Sequence, residues 1–216
     1  MPYTLAPGVH ACRADGRLVF LDLLADRYLM IEPRSEAILL ATAGARASGE
    51  SSVELDRLCA LGLLAQSNDD RPLGLCVARP PERSLLERPW RSPSLTAIGA
   101  ATAAVLAASV RLRWRGLARA LQGIPDPGPD TADDVDRTMY HAAAFAELRL
   151  AFRTLDRCLP LSLALVRGAR RGDRAVRLVI GVKLGPFGAH AWAQRDDLVL
   201  NDRLDAVRAF TPVLVV

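Results

Sequence analysis

The chain has 216 residues, half of them hydrophobic and 24% charged, which excludes a largely disordered polypeptide and leaves room for one large domain or two small ones. Only 5% are aromatic, so Leu, Val and Ala must build the core. The net charge of +4 is uneven, with −3 in residues 1–75 (7 Arg, 10 Asp/Glu), +4 in 76–130 and +3 in 131–216. No segment carries a dense basic stripe with interleaved aromatics, so no nucleic-acid partner is expected.

In chain order, His10–Arg13, Leu18–Asp22 and Arg27–Ile31 read as three short strands. Asp15-Gly16 and Ala25-Asp26 are the turn signals between them, giving a meander. Ser35 precedes an apolar stretch to Ala43, a helix with Ser35 as its expected cap. Ser51-Ser52-x-Glu54 leads into Leu55, Leu58 and Leu61, and Gly62 supplies a C-terminal stop. Strands followed by helices predict a small winged-helix-like module over residues 1–75.

Residues 66–94 read as a joint. Pro72, Pro80, Pro81, Pro89 and Pro93 break any long element, and 76–94 is the expected proline-rich linker. The next run, Leu95–Gly123, is Ala-rich and free of charge from Ser94 to Val110. It falls short of the roughly 20 strongly apolar residues that span a bilayer. A buried helix is the first expectation, ahead of a surface-associated helix and, last, a membrane span; membrane association is not the expected role. Pro125–Pro129 ends it. Helical periodicity returns from Thr131, with Asp133 and Asp134 in a first turn and Met139, Ala143, Leu148, Phe152 and Leu155 on one face. Pro160 interrupts, and a second helix follows to Gly168. Ala175–Leu184 alternates like a strand, Ala189–Arg195 is another, and Leu198–Asn201 is its hairpin partner across Asp196-Asp197. Residues 95–216 thus form an α+β domain.

The four cysteines, Cys12, Cys59, Cys76 and Cys158, contain no Cys-x-x-Cys pair, and there are only three histidines. No metal, cofactor or disulfide framework is expected. Free thiols fit a reducing compartment, so a cytoplasmic location is expected. The N-terminus shows no basic n-region and apolar h-region, so no signal peptide is expected. No G-x-x-x-x-G-K occurs, which leaves no ordinary nucleotide loop.

One constellation carries chemistry. Pro160, with no N–H and a fixed φ, suits a helix first turn, which puts Cys158 at a helix start. The helix dipole and free backbone N–H groups there favour a thiolate. His190 lies 32 residues on, in a strand, and Asp202 12 residues further, at the end of the hairpin partner. A thiol, an imidazole and a carboxylate so arranged make a Cys-His-Asp triad. The competing reading is a buried structural cysteine and a half-exposed strand histidine. His10 and His141 are expected on the surface. Cys12, Cys59 and Cys76 are expected to be structural. Gly185–Gly188 is either a plain turn or a wall beside His190, and Trp192 either covers the triad or fills the core.

The stretches Cys158–Leu165, Leu178–Val182, Pro186–Trp192, Val199–Asp202 and Phe210-Thr211-Pro212 together resemble the lasso peptide biosynthesis B protein family. That resemblance covers residues 135–216. It implies a transglutaminase-like cysteine protease domain that removes the leader from a ribosomally made precursor peptide. Cys158 is then the nucleophile, His190 the base and Asp202 the orienting acid. Leu161 departs from the polar or basic residue that relatives often carry there. The freed amine would pass to an ATP-dependent cyclase of the asparagine-synthetase type. The N-terminal module resembles the leader-recognition element of the same pathway. A leader strand would pair with the edge Arg27, Tyr28, Leu29, Met30 and Ile31, with Leu55 and Leu58 as an apolar wall. Taken one by one, Tyr28, Met30, Leu55 and Leu58 read as core, whereas the module as a whole reads as peptide-binding. The rival functions are acyl transfer to an amine on the same triad and a non-catalytic peptide- or DNA-binding winged-helix protein.

Overall fold

A computed structural model describes residues 3–42, 50–67, 73–87, 89–122, 124, 135–151, 157–171, 173 and 175–216. The chain divides into two compact units, Met1–Val77 and Ala78–Val216.

In the first unit, β1 (Tyr3–Leu5) is followed by the meander β2 (Val9–Ala14), β3 (Arg17–Asp22) and β4 (Arg27–Met30). The meander strands pair antiparallel in the order β2-β3-β4. Asp15 and Gly16 both take positive φ, 46° and 81°, the backbone that a tight two-residue hairpin requires. Helices α1 (Pro33–Thr42) and α2 (Glu50–Ala60) follow. A short strand, β5 (Leu64–Gln66), pairs with β1, a pairing that local pattern did not indicate. Leu18, Phe20, Leu39, Leu55 and Leu58 form the core, each stabilising by about 1.5–3 kcal/mol on burial.

Ser35 does not cap α1. It lies inside the helix, where its hydroxyl donates to Glu54 Oε1 at 2.5 Å. The buried carboxylate of Glu36 instead ties α1 to the sheet. It accepts from the Leu18 N–H at 2.7 Å and from Arg17 Nε at 2.9 Å, which offsets the cost of burying its charge.

The second unit is an α+β fold. Helices α3 (Leu95–Leu121), α4 (Val135–Ala151) and α5 (Cys158–Ala169) pack together. The sheet contains β7 (Val176–Leu184), β8 (Phe187–Arg195), β9 (Leu198–Val199) and β10 (Thr211–Val215), with α6 (Leu204–Arg208) before the last strand. Its order is β10-β7-β8-β9-β6. Here β6 is Arg83–Ser84, from the segment expected to be linker, paired in parallel with β9. Arg83 clamps Asp197 with two bonds of 2.8 and 2.6 Å, and Gln194 donates to the Arg79 carbonyl. The prolines of this stretch did keep it irregular, but they left two residues free to close the sheet edge.

The outcome for α3 differs from the expectation of a buried helix. Only 17% of its most apolar window is buried. Ala101, Val105 and Ala108 face the fold, whereas Leu95, Leu106, Val110 and Trp114 are exposed. Gly116 takes φ 70°, a left-handed conformation that other residues resist. There the helix breaks, and Leu117, Ala120 and Leu121 turn into the core. Asp133, Asp134, Phe152 and Leu155, expected to extend α4, lie outside the described residues.

Candidate active site

Cys158 is the first residue of α5. Pro160 is the third, within the turn whose N–H groups have no intrahelical acceptor, so its missing donor costs no helix bond. The helix is apolar on nearly every side, and Leu161, Leu163, Leu165 and Val166 are buried. Ser162 lies among them. Its hydroxyl donates to the Ala191 carbonyl at 2.9 Å and accepts from Asn201 Nδ2 at 2.9 Å. Asn201 Oδ1 in turn accepts the Ala193 N–H at 2.8 Å. This buried net pins the start of α5 to β8 and to the segment after β9, and so sets Cys158 beside His190. No sequence periodicity indicated it. A polar pair within an apolar helix and at a strand end was the available signal.

His190 is 3% exposed on β8. Its Nε2 shares a 2.7 Å hydrogen bond with Asp202 Oδ2, which leaves Nδ1 for the thiol. Across the sheet His190 is paired with Gly181. A Cβ at Gly181 would come within 2.9 Å of Phe210 Cβ and the Trp192 ring. Glycine there lets both rings pack around the imidazole. Phe210 lies 5.2 Å from it, and Trp192 stacks at 6.2 Å between centroids. Trp192 thus does both things considered for it. It is core, at 1% exposure, and it walls the imidazole. The turn at Gly185–Gly188 stays open, with Phe187 52% exposed; the aromatic wall comes from Phe210.

Asp202 is held from three sides. Besides His190, the Arg203 N–H donates to Oδ1 at 2.8 Å. Arg149, on α4, lies across both carboxylate oxygens at 3.3–3.4 Å. Sequence reasoning missed Arg149, which stands 53 residues from Asp202 on a helix with no distinguishing pattern. Arg149 also lines a small apolar cavity at the thiol, with Thr102, Val105 and Leu106 from α3, Leu148 from α4 and Leu161 from α5. Leu161 therefore makes part of this wall.

The electrostatics follow from these contacts. Burial opposes ionisation of the Cys158 thiol. The hydrogen bond and charge of His190, with the N–H groups of Ala191 and Leu159, overcome it and hold the thiol below its ordinary value. Burial likewise opposes a charged His190, yet Asp202 and Cys158 together raise it to about 9. Burial disfavours the Asp202 carboxylate, and His190, the Arg203 N–H and Arg149 bring it below its ordinary value. The three shifts agree in sense: each favours the ionised pair, a thiolate facing an imidazolium. Among the described residues no group of His, Cys, Asp and Glu could hold a metal ion.

The other candidates are placed differently. Burial pushes Cys12 up to about 12 and raises Cys59 and Cys76, so none is activated. His10 and His141 are half-buried, not surface residues. His141 packs edge-on against Phe145, and its Nε2 sits against the Cα of Gly168, where a Cβ would be 2.4 Å away. In the first unit, Arg27 and Met30 are exposed and Tyr28, Leu29 and Ile31 are half-buried along β4 and just past it. Leu55 and Leu58 are 0% and 2% exposed. They are core and offer no wall to a ligand, because the hydrophobic face of α2 is already spent on the unit's own sheet.

Neither the curated proteins nor the solved structures provide a match to the chain. A family model described as the transglutaminase-like superfamily matches residues 90–215. The match spans α3 to α6, every strand of the sheet but β6, and all three residues of the thiol–imidazole–carboxylate array. The chain belongs to the transglutaminase-like superfamily, whose fold serves cysteine proteases and acyltransferases.

Proposed function

We propose that this chain is a cysteine protease of lasso peptide maturation, cutting leader from core in a ribosomally made precursor. The observation that carries the reading is the Cys158–His190–Asp202 array with its depressed thiol and raised imidazole. The Cys158 thiolate adds to the carbonyl at the leader–core junction. Backbone N–H groups at the start of α5 are positioned by the helix geometry to steady the oxyanion. The His190 imidazolium gives its proton to the departing core amine, leaving an acyl-enzyme on the leader. Neutral His190 then takes a proton from water, and the resulting attack frees the leader carboxylate. Asp202 holds the imidazole throughout and stabilises its charged form. No bond-making step uses a metal or cofactor.

The N-terminal unit supplies leader capture as a winged-helix-like recognition module. Its support is the edge position of β4, which among the described residues pairs with β3 in the three-stranded sheet. A leader strand added along Arg27–Met30 would use main-chain hydrogen bonds for affinity. With Leu55 and Leu58 in the core, Met30, at 43% exposure, is the apolar contact on offer. Tethered capture would raise the local substrate concentration to about the millimolar range. In this pathway the freed core amine passes to an ATP-dependent cyclase of the asparagine-synthetase type, in the cytoplasm.

The test is cleavage of the precursor peptide from the adjoining reading frames, followed by mass spectrometry. Hydrolysis at one bond, with water added and with loss of activity in Cys158→Ala, is the expected result. A product carrying an added amine would move the assignment to acyl transfer. Unchanged cleavage in Cys158→Ala would refute both.

A further inference from the structure

From the edge of the Cys158 cavity outward, α3 presents a second surface. Leu106, Val110 and Trp114 follow one another at i, i+4 and i+8, so they form one ridge along the helix. They are 56%, 58% and 79% exposed, and Ala103 and Ala107 nearby on the helix are exposed as well. A soluble fold normally turns such a ridge inward, as α5 does. The ridge is bordered by arginine. Arg111, Arg113, Arg115 and Arg119 are the only charged residues of α3, with no acidic residue on the helix.

The positive charge extends past the helix. A groove beside the ridge is floored by alanines of α3, α4 and α5 and edged by Arg111, Arg137, Arg167 and Arg171. Among the described residues no carboxylate lines it. Among the described residues no acid pairs with Arg111, Arg137 or Arg171. Burial and the charges of Arg111 and Arg171 lower Arg167, as expected for cations crowded without a counter-ion. Tyr140, also on the rim, accepts the Ser94 N–H through its hydroxyl oxygen. Such a set of donors has one chemistry in common, the capture of anionic oxygens.

We propose that α3 docks this domain on an anionic lipid bilayer. The ridge of Leu106, Val110 and Trp114 enters the headgroup–acyl boundary, and the guanidinium groups of the ridge and groove receive lipid phosphates. The pattern is that of a helix lying in the interface: an apolar ridge, arginine on its borders and a tryptophan at the level of the headgroups. A neutral protein partner would match the ridge but leave the arginine cluster uncompensated. A soluble anion would match the cluster but leave the ridge in water. A bilayer carrying negative charge matches both. Break of the helix at Gly116 bounds the contact, since Leu117 and Leu121 return to the core. Leu106 belongs also to the wall of the Cys158 cavity, so the docked helix forms part of the active-site surroundings.

Flotation of the full chain with vesicles tests this without any assay of cleavage. The protein is expected to float with vesicles containing phosphatidylglycerol, to stay behind with pure phosphatidylcholine, and to be released by added salt. Trp114 emission should shift to the blue on binding, and the shift should vanish in Trp114→Phe. The pair Arg111→Gln and Arg171→Gln should weaken partitioning about thirtyfold, at about fivefold for each charge near the surface. The pair Val110→Ser and Trp114→Ser should abolish it, with circular dichroism establishing that each variant is folded. Equal binding to both lipids, no binding to either, or lipid-independent dimerisation that Trp114→Ser dissolves would each overturn the proposal.

Discussion

Cys12 and Cys158 are both free thiols, the first buried and the second half-buried, and burial opposes ionisation of each, yet their shifts run in opposite directions. Cys12 lies on β2 at 1% exposure, and burial pushes its thiol up to about 12. Cys158 meets the same burial penalty, yet its thiol is held below the ordinary value. The difference is one buried imidazole and two backbone N–H groups. A buried cysteine is therefore inert by default, and reactivity has to be assembled around it from separate elements: α5 for the thiol, β8 for the imidazole, the segment after β9 for the carboxylate and α4 for the arginine. Each prediction below removes one part of that assembly and asks how far Cys158 falls back toward Cys12.

Removal of the proposed nucleophile or its proposed base should have the largest effect. Cys158→Ala and His190→Ala should each lower cleavage by about a thousandfold or more, while leader binding to the first unit is unchanged. Titration of labelled leader alongside the cleavage assay separates the two. Asp202→Asn comes next, with a loss of about a hundredfold, because the side chain can still hold His190 but no longer stabilises its charge. Residual cleavage at the wild-type rate would show that the carboxylate is dispensable.

Gly181→Ala acts through packing. The added methyl meets Phe210 Cβ and the Trp192 ring at 2.9 Å, so one or both rings around His190 must shift. A stability loss of about 1–3 kcal/mol in denaturant titration is expected, with a fall in activity that tracks displacement of the imidazole. Smaller still is Arg149→Ala, for which a loss of about tenfold in kcat is expected, partly restored by Arg149→Lys. Its signature is in pH. The wild-type rate should fall as His190 loses its proton around pH 9, from the raised imidazole. Loss of a neighbouring cation makes the imidazolium easier to keep, so in Arg149→Ala the alkaline limb should move upward. A limb that stays in place would reduce Arg149 to a packing residue.

Much of this assembly was legible before any coordinates. Pro160 marked a helix start two residues after Cys158, and period-two alternation placed His190 on a strand with a hairpin partner leading to Asp202. Those signals are local: a fixed φ, a pleat, a tight turn. What could not be read was carried by distant pairs. Arg149 reaches Asp202 from another helix, and Arg83–Ser84 closes the sheet against β9, with Arg83 clamping Asp197 across 114 residues of sequence. Proline content made that stretch look like a tether, because a two-residue parallel strand leaves no periodic trace. Leu55 and Leu58 had the right spacing for a helix face, but spacing alone does not tell whether the face meets the unit's own sheet or a ligand. For α3 the composition was clear and the burial was not, since apolar content alone does not say whether a helix is covered.

The central claim is that Cys158 is a thiolate at neutral pH by virtue of His190. Alkylation with iodoacetamide as a function of pH, read site by site by mass spectrometry of tryptic peptides, tests it most directly. An unactivated thiol, with a pKa of about 8.5 or above, loses reactivity tenfold for each pH unit below that value. Cys12, Cys59 and Cys76 should follow that slope. Cys158 should keep reacting near pH 6, and His190→Ala should return it to the common curve. A Cys158 profile that parallels Cys76 in the wild-type protein would contradict the account.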